Sequence, residues 1–229
     1  MIDISVIIPL APEETAWHDL LVDLSKLPDG TEILFVTSQA ATLPDETPIL
    51  PNKDVRFLSS QPGRADQMNA GAKAAKGQFL WFLHADSKFA EDTLPRLLHG
   101  LQNHPASLLY FDLAFIRDAT PLMFLNAWGV RFRSRILKVP FGDQGFCLAR
   151  DLFGKLGGFP DHLPYGEDHI FVWKARQYGV DVQAVGAKLY TSARKYKKHG
   201  WLKTTFLHQY LWIQQAWPEW RKLKKGQAT

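Results

Sequence analysis

Three places in this 229-residue chain carry acid or base side chains at spacings suited to chemistry. His84-Ala85-Asp86-Ser87 follows the unbroken apolar run Phe79–Leu83, which reads as a strand buried on both faces. Residues two apart at a strand end share a face, so the imidazole and the carboxylate can address one ligand. Asp143 lies in FGDQG, and Glu167-Asp168 in YGEDHIF. Asp86 is a hard oxygen donor of the type Mg²⁺ or Mn²⁺ accepts when a substrate diphosphate fills most other positions. Such an ion needs only one or two protein carboxylates. His84 is then a second metal ligand or, the reading favoured here, a hydrogen-bond partner. The plain alternative for each carboxylate is a solvated loop or a helix cap, and Asp168 could cap the helix it precedes.

Other chemistries lack their signatures. No G-x-G-x-x-G follows a strand, and no G-x-x-x-x-G-K-[ST] occurs, which weighs against a nicotinamide dehydrogenase or a P-loop nucleotidase. H-E-x-x-H and G-x-S-x-G are absent as well. Cys147, the single cysteine, excludes an intrachain disulfide and sits among apolar neighbours as an inert thiol.

The elements that must position these groups alternate. Strands are expected at Ile4–Leu10, Ile33–Val36, Val55–Leu58 and Phe79–Leu83, with helices over Glu13–Leu27 and in GRADQMNAGAKAAKG. Residues 37–54 read as a loop. Further on come a helix at Glu91–Leu101, a strand at Leu108–Ile116, a helix at Leu122–Ile136 and a short strand at Phe146–Leu148. Helices at Asp151–Leu156 and Asp168–Tyr178, a strand at Val182–Val185 and an aromatic helix over 201–217 complete the chain. This order calls for an α/β fold with a doubly wound, mainly parallel, Rossmann-like sheet and an aromatic and basic C-terminal helix. In such sheets ligands sit beyond the carboxyl ends of the strands. With no repeat and no clear linker, one domain is expected over 1–229.

Hydrophobic content of 46% and charged content of 22% describe a protein able to bury a sizeable core. The net charge of +4 is unevenly spread, concentrated at 194–203 (RKYKKHGWLK) and 221–225 (RKLKK). Local excess of that kind suits a partner carrying phosphate. The start, MIDISVIIPL, has no basic segment ahead of an apolar one, and no run reaches the length of a spanning helix. A cytoplasmic place is expected, with contact to a membrane surface as an open alternative. Four tryptophans with basic residues at both ends of the C-terminal helix suit an interfacial helix as well as a packed one.

SVIIPL, GRADQMNAGAKAAKGQFLWFLHADS, FGDQGF, LGGFPD followed by GED, and TSARKYKKHGW occur in that order. Together they resemble the family 2 glycosyltransferases of the GT-A fold, nearest to a small cytosolic branch with His-Ala-Asp in place of Asp-x-Asp. The resemblance spans nearly the whole chain. It implies transfer of a sugar from a nucleotide-diphosphate sugar to an acceptor hydroxyl, inverting and dependent on a divalent metal such as Mn²⁺ or Mg²⁺. It implies Asp86 as metal ligand within His84-Ala85-Asp86, Asp168 as catalytic base and Glu167 beside it. Pro9, Glu13, Thr37, Gly63, Arg64, Asn69 and Arg194 fall on the nucleotide side. Gly142, Asp143, Gln144 and Gly145 fall in the acceptor-side loop. Residues 1–105 would bind the nucleotide sugar, 106–200 the acceptor (a sugar, lipid or small molecule), and 201–229 form the terminal helix.

Two departures stand. Val36 is followed by Thr37-Ser38-Gln39, where the family commonly has acidic residues that hydrogen-bond the base, and Pro12 replaces an Asn. A non-catalytic nucleotide-binding protein of the same fold, and a peripheral membrane or partner-binding protein, stay open as alternatives. Nucleic acid is not an expected partner, since no nucleic-acid fold accompanies the basic run.

Overall fold

Alternate residues of the central strands face opposite layers, and that alternation builds the molecule. In the computed structural model, which describes residues 3–38, 48–116, 123–194 and 201–226, Ile4, Val6 and Ile8 pack with Phe79 and Trp81 into one core, whereas Ile7, Leu80 and Phe82 enter the other. Side chains alternate along a strand, so a sheet apolar on both faces must be covered twice. Helices α1 (Trp17–Leu24) and α3 (Thr93–Asn103) cover the first face. Helices α2 (Arg64–Ala74), α5 (Arg150–Lys155) and α6 (Glu167–Gln177) cover the second.

The strands are β1 (Ile4–Pro9), β2 (Glu32–Ser38), β3 (Asp54–Ser60), β4 (Phe79–Phe82), β5 (Lys88–Phe89), β6 (Leu108–Phe115), β7 (Cys147–Ala149) and β8 (Val182–Thr191). They form one sheet in the order β3-β2-β1-β4-β7-β6-β8-β5. β1 to β4 are mutually parallel, as are β6 and β8. β7 runs antiparallel between β4 and β6, and β5 antiparallel on β8. An antiparallel strand presents its leading loop where parallel neighbours present their trailing ones. The segment 142–146 therefore reaches the same edge as His84-Ala85-Asp86. Two more helices stand over that edge: α4 (Met123–Ile136) and α7 (Trp201–Gly226).

The doubly wound, mainly parallel GT-A-like sheet expected from the sequence is the one the chain forms. Several boundaries differ. α1 is shorter at both ends than the expected 13–27, because Glu13 adopts φ 59° and the Glu14 carboxylate accepts from the Ala16 amide at 3.0 Å, turning the chain before the helix starts. β8 continues past Val185 to Thr191. Gly186, just past the expected end, takes φ 83° at an irregularity where the β6–β8 register shifts between Tyr110 and Asp112. α7 runs through Pro218 rather than ending there; the carbonyl left without an N–H belongs to the exposed Gln214. Residues 39–47 of the expected loop, Leu122, and 195–200 of the basic run lie outside the described residues.

Candidate active site

Beyond the carboxyl ends of β1, β4 and β8 opens a cleft of about 770 Å³, roofed by α4 and α7. Pro9, Arg64, His84, Ala85, Asp86, Asp143, Asp168 and Arg194 all line it, so groups more than a hundred residues apart in sequence converge.

Asp168 stands at the first turn of α6, half-buried. Its Oδ2 accepts from the Gly142 amide at 2.6 Å and its Oδ1 from the His169 amide at 2.8 Å. Two amides and a helix N-terminus hold the carboxylate in one orientation. Glu167, buried, is not among the cleft-lining residues, and its Oε1 lies 3.5 Å from the Nε of Arg64, which is. Burial and the neighbouring Asp168 charge push its carboxyl up, with Arg64 opposing. Arg64 Nη2 in turn contacts His84 Nε2. Because a guanidinium can only donate, that imidazole nitrogen is the acceptor and the proton sits on Nδ1. This contact leaves His84 Nε2 engaged.

Asp86, at the end of β4, receives the Thr191 hydroxyl at 3.3 Å. Burial pushes its carboxyl up, while Arg194 and the hydrogen bonds from Thr191 and Ser192 pull the other way. Arg194 also pairs with Glu14, its Nη2 2.5 Å from Oε2. Burial alone would raise the Glu14 carboxyl; the Arg194 contact and the Ala16 amide bring it below the usual value. Among the described residues no three His, Cys, Asp or Glu side chains stand together. Of the acids lining the cleft, Asp86 has the chemistry to hold a divalent ion beside substrate phosphates, which supply most of such an ion's ligands.

Asp143 sits in the 3₁₀ turn Gly142–Gln144, and its Oδ1 is buried with no hydrogen-bond donor among the described residues. Burial pushes its carboxyl up to about 6, with Arg133 opposing and Asp168 adding to the rise. Arg133 crosses the Phe141 ring 3.5 Å from its centroid and donates from Nε to the Val139 carbonyl at 3.0 Å. His169 is buried and driven down to about 4, so it is neutral; Trp173 Nε1 donates to its Nε2 at 2.8 Å, and its Nδ1 lies 3.3 Å from Gln215 on α7.

The remaining expected site residues do not line the cleft. Glu13 is exposed and away from the cleft, and Glu14 is the acid that lines it. Thr37 is buried in β2, 3.5 Å from the Leu58 carbonyl. Asn69 clamps Phe159, donating to its carbonyl at 2.8 Å and accepting from its amide at 2.9 Å. Gln144 is fully buried, bonded to Ser134, Phe141 and the Phe111 carbonyl. Gly63, at φ 137°, starts α2, and Gly145, at φ 63°, packs against Leu189 and Trp81. Gln67, Arg133, Phe141, His169 and Thr191 line the cleft and were not singled out from sequence. Arg133 alone had a signal, the alternating arginines of 131–135; the others are placed by tertiary contacts.

A mainly parallel sheet whose strand tips open on carboxylates and guanidinium groups puts this cleft where α/β folds bind their ligands. The family described as glycosyl transferase family 2 matches residues 5–157, two thirds of the chain, and the chain belongs to it. No curated protein sequence matches at a significant level. Among solved structures, the mannosyltransferase PcManGT from Pyrobaculum calidifontis in complex with GDP-Man and Mn²⁺ superposes with a TM-score of 0.66 at 19% identity, over 98% of this chain and 68% of that one. S. aureus TarS 1-349 in complex with UDP-GlcNAc superposes at 0.61 with 20% identity, over 83% of this chain and 58% of its own. Against the longer S. aureus TarS structure the match covers 84% of this chain and 37% of that one, so the present chain spans well under half of that relative.

Proposed function

We propose that the chain moves a sugar from a nucleotide-diphosphate sugar to an acceptor hydroxyl with inversion at the sugar carbon. The observation that carries this is the convergence of Asp86, Arg194 and Asp168 on one cleft at the strand tips. The acceptor oxygen bonds to the anomeric carbon as the bond to the diphosphate breaks, and the hydroxyl proton passes to the Asp168 carboxylate. The Gly142 and His169 amides aim that carboxylate while leaving lone pairs for the proton. General-base assistance of this kind contributes roughly 10²–10⁴-fold. Arg64 and Arg194 offer guanidinium forks to the phosphate oxygens, and Glu167 steadies Arg64. A Mn²⁺ or Mg²⁺ ion held by Asp86 would supply Lewis-acid neutralisation of the leaving diphosphate.

The division of labour follows: 1–105 for the nucleotide sugar, 106–200 for the acceptor, 201–229 as a terminal helix. The bound complexes of the structural relatives support a nucleotide-sugar donor here, and one of them supports a divalent ion. Thr37-Ser38 in place of acids at the end of β2 leaves open which base is bound. We assign a cytoplasmic place, and a membrane surface as a second partner of α7; among the described residues no helix is long and apolar enough to cross a membrane.

A thermal-shift panel of nucleotide sugars with and without Mn²⁺, followed by an assay for released nucleotide, tests the reading. One donor should raise the melting temperature in a metal-dependent way, since a ligand that binds only the folded state stabilises it. No shift with any donor would overturn it, and binding with neither hydrolysis nor transfer would return the non-catalytic alternative.

A further inference from the structure

Two helices roof the cleft, and both turn a continuous apolar stripe to solvent beside the faces that line it. On α4, Phe124, Trp128, Phe132 and Ile136 recur every four residues and are 65%, 70%, 50% and 66% exposed. On α7, Leu202, Phe206, Tyr210, Ile213, Trp217 and Trp220 recur at steps of four and three, all exposed. Such spacing keeps side chains on one face of a helix. The helices meet where Trp201 Nε1 donates to Asn126 Oδ1 at 2.7 Å and Asn126 Nδ2 reaches Thr205 Oγ1 at 3.2 Å. The cleft-lining residues of each helix, Leu125, Gly129 and Val130 on α4 and Thr205, Gln209 and Trp212 on α7, lie on the face next to the stripe. A folded protein ordinarily leaves large apolar side chains exposed singly; a paired aromatic stripe of this extent marks a binding surface.

We propose that α4 and α7 together form a platform that lies in the interface of an anionic lipid surface. This rests on the reading of α7 as a membrane-facing helix and adds α4, so that the acceptor side of the cleft opens at the lipid–water boundary. Charge selects lipid over a second copy of the chain. Exposed Arg131 and Lys203 accompany the stripes, and Arg221, Lys224 and Lys225 follow at the end of α7. α4 has no acidic residue, and the one on α7, Glu219, is held by Lys222 and Gln177. A two-fold contact between copies puts the same patch on both sides, basic against basic, whereas anionic headgroups complement it. Tryptophan and tyrosine, amphipathic in themselves, favour that boundary.

Co-sedimentation of the full chain with phosphatidylcholine vesicles, with and without phosphatidylglycerol, tests the platform. The wild type should bind the anionic vesicles, and Trp128→Ser with Phe132→Ser on α4 should weaken binding at least tenfold. Phe206→Ser with Ile213→Ser on α7 should do the same, and Arg131→Glu with Lys203→Glu should abolish the preference for phosphatidylglycerol. None of these side chains lines the cleft, so the nucleotide-sugar thermal shift should be unchanged in every variant and reports that the fold is intact. Loss on α7 but not on α4 would overturn the two-helix platform while sparing the membrane-facing α7. Absence of wild-type binding, or a dimer in sedimentation equilibrium that the same substitutions dissociate, would overturn both. Vesicle binding without any nucleotide-sugar response would sink the donor assignment and leave the platform standing.

Discussion

The Gly142 amide donates to Asp168 Oδ2 at 2.6 Å, and this contact ties the acceptor-side loop to the proposed base. A Cβ at 142 would stand 2.7 Å from Arg64 Nη2 and 2.9 Å from Asp168 Oδ2. Both neighbours are ends of side chains, so the protein can yield, but only by moving the two groups the reaction needs. Gly142→Ala should reduce kcat at least tenfold while the melting temperature falls by no more than about 2–4 °C, roughly 1 kcal/mol in a chain of this size. Asp168→Asn should keep the donor affinity and lower turnover at least a hundredfold, because an amide cannot take the proton. Single-turnover kinetics beside donor titration check both, and wild-type turnover in the Asn variant would remove Asp168 from the base role.

Asp86→Ala removes the carboxylate proposed to hold a divalent ion against a diphosphate. Calorimetric titration of the donor should then show no gain from Mn²⁺, whereas the wild type gains. Removing metal with a chelator should bring the wild type down to the level of the variant.

Asp143 carries a pH dependence. Its carboxyl is raised to about 6 by burial, above the unfolded value of 3.8. The folded chain therefore holds an extra proton between those limits. Its contribution to stability is largest at about pH 4, declines as pH rises to about 6, and levels off above that. At pH 8 the buried charge is a net cost. Asp143→Asn should thus melt higher than wild type at pH 8, by about 2–4 °C for each kcal/mol relieved, and the gap should close towards pH 4. Thermal scans of both proteins across pH 4–8 measure it; a gap that widens on acidification would contradict the assignment.

Asn69 illustrates how sequence position can suggest a ligand contact where the fold uses a brace. Its amide makes two hydrogen bonds to Phe159, joining α2 to the loop before α6. Asn69→Ala should cost about 1–3 kcal/mol of stability, by exposing buried backbone groups to no partner, and leave donor affinity unchanged. Chemical denaturation and donor titration separate the two effects.

The sheet was legible because its strands are short apolar runs bounded by glycine, proline or polar residues, and Phe79–Leu83 is the plainest of them. Asp86 and Asp168 could be singled out as acids following an expected strand and opening an expected helix, and both line the cleft; the roles proposed for them came from the resemblance. What was not legible depends on contacts between distant segments. The last strand was expected to end at Val185 and instead passes a bulge at Gly186, because register against β6 carries it on to Thr191. Glu13 and Glu14 are chemically alike, and only the turn at φ 59° decides which one meets Arg194. His169 looks like any helical histidine until Trp173 and Gln215 close on it. Gln144, in the acceptor-side loop by motif, proves to be a buried anchor for that loop.

β7 has one further consequence. Phe79 pairs with Ala149 and Trp81 with Cys147, so three residues from late in the chain complete the ladder begun by β1 to β4. A fragment cut at residue 105 would leave β4 with an unpaired edge, the kind of template on which chains aggregate. Recombining this protein with a relative by exchanging its first half as a cassette would break that seam unless Cys147–Ala149 travelled with it. The proposed donor and acceptor portions are in this sense stitched together by a strand three residues long.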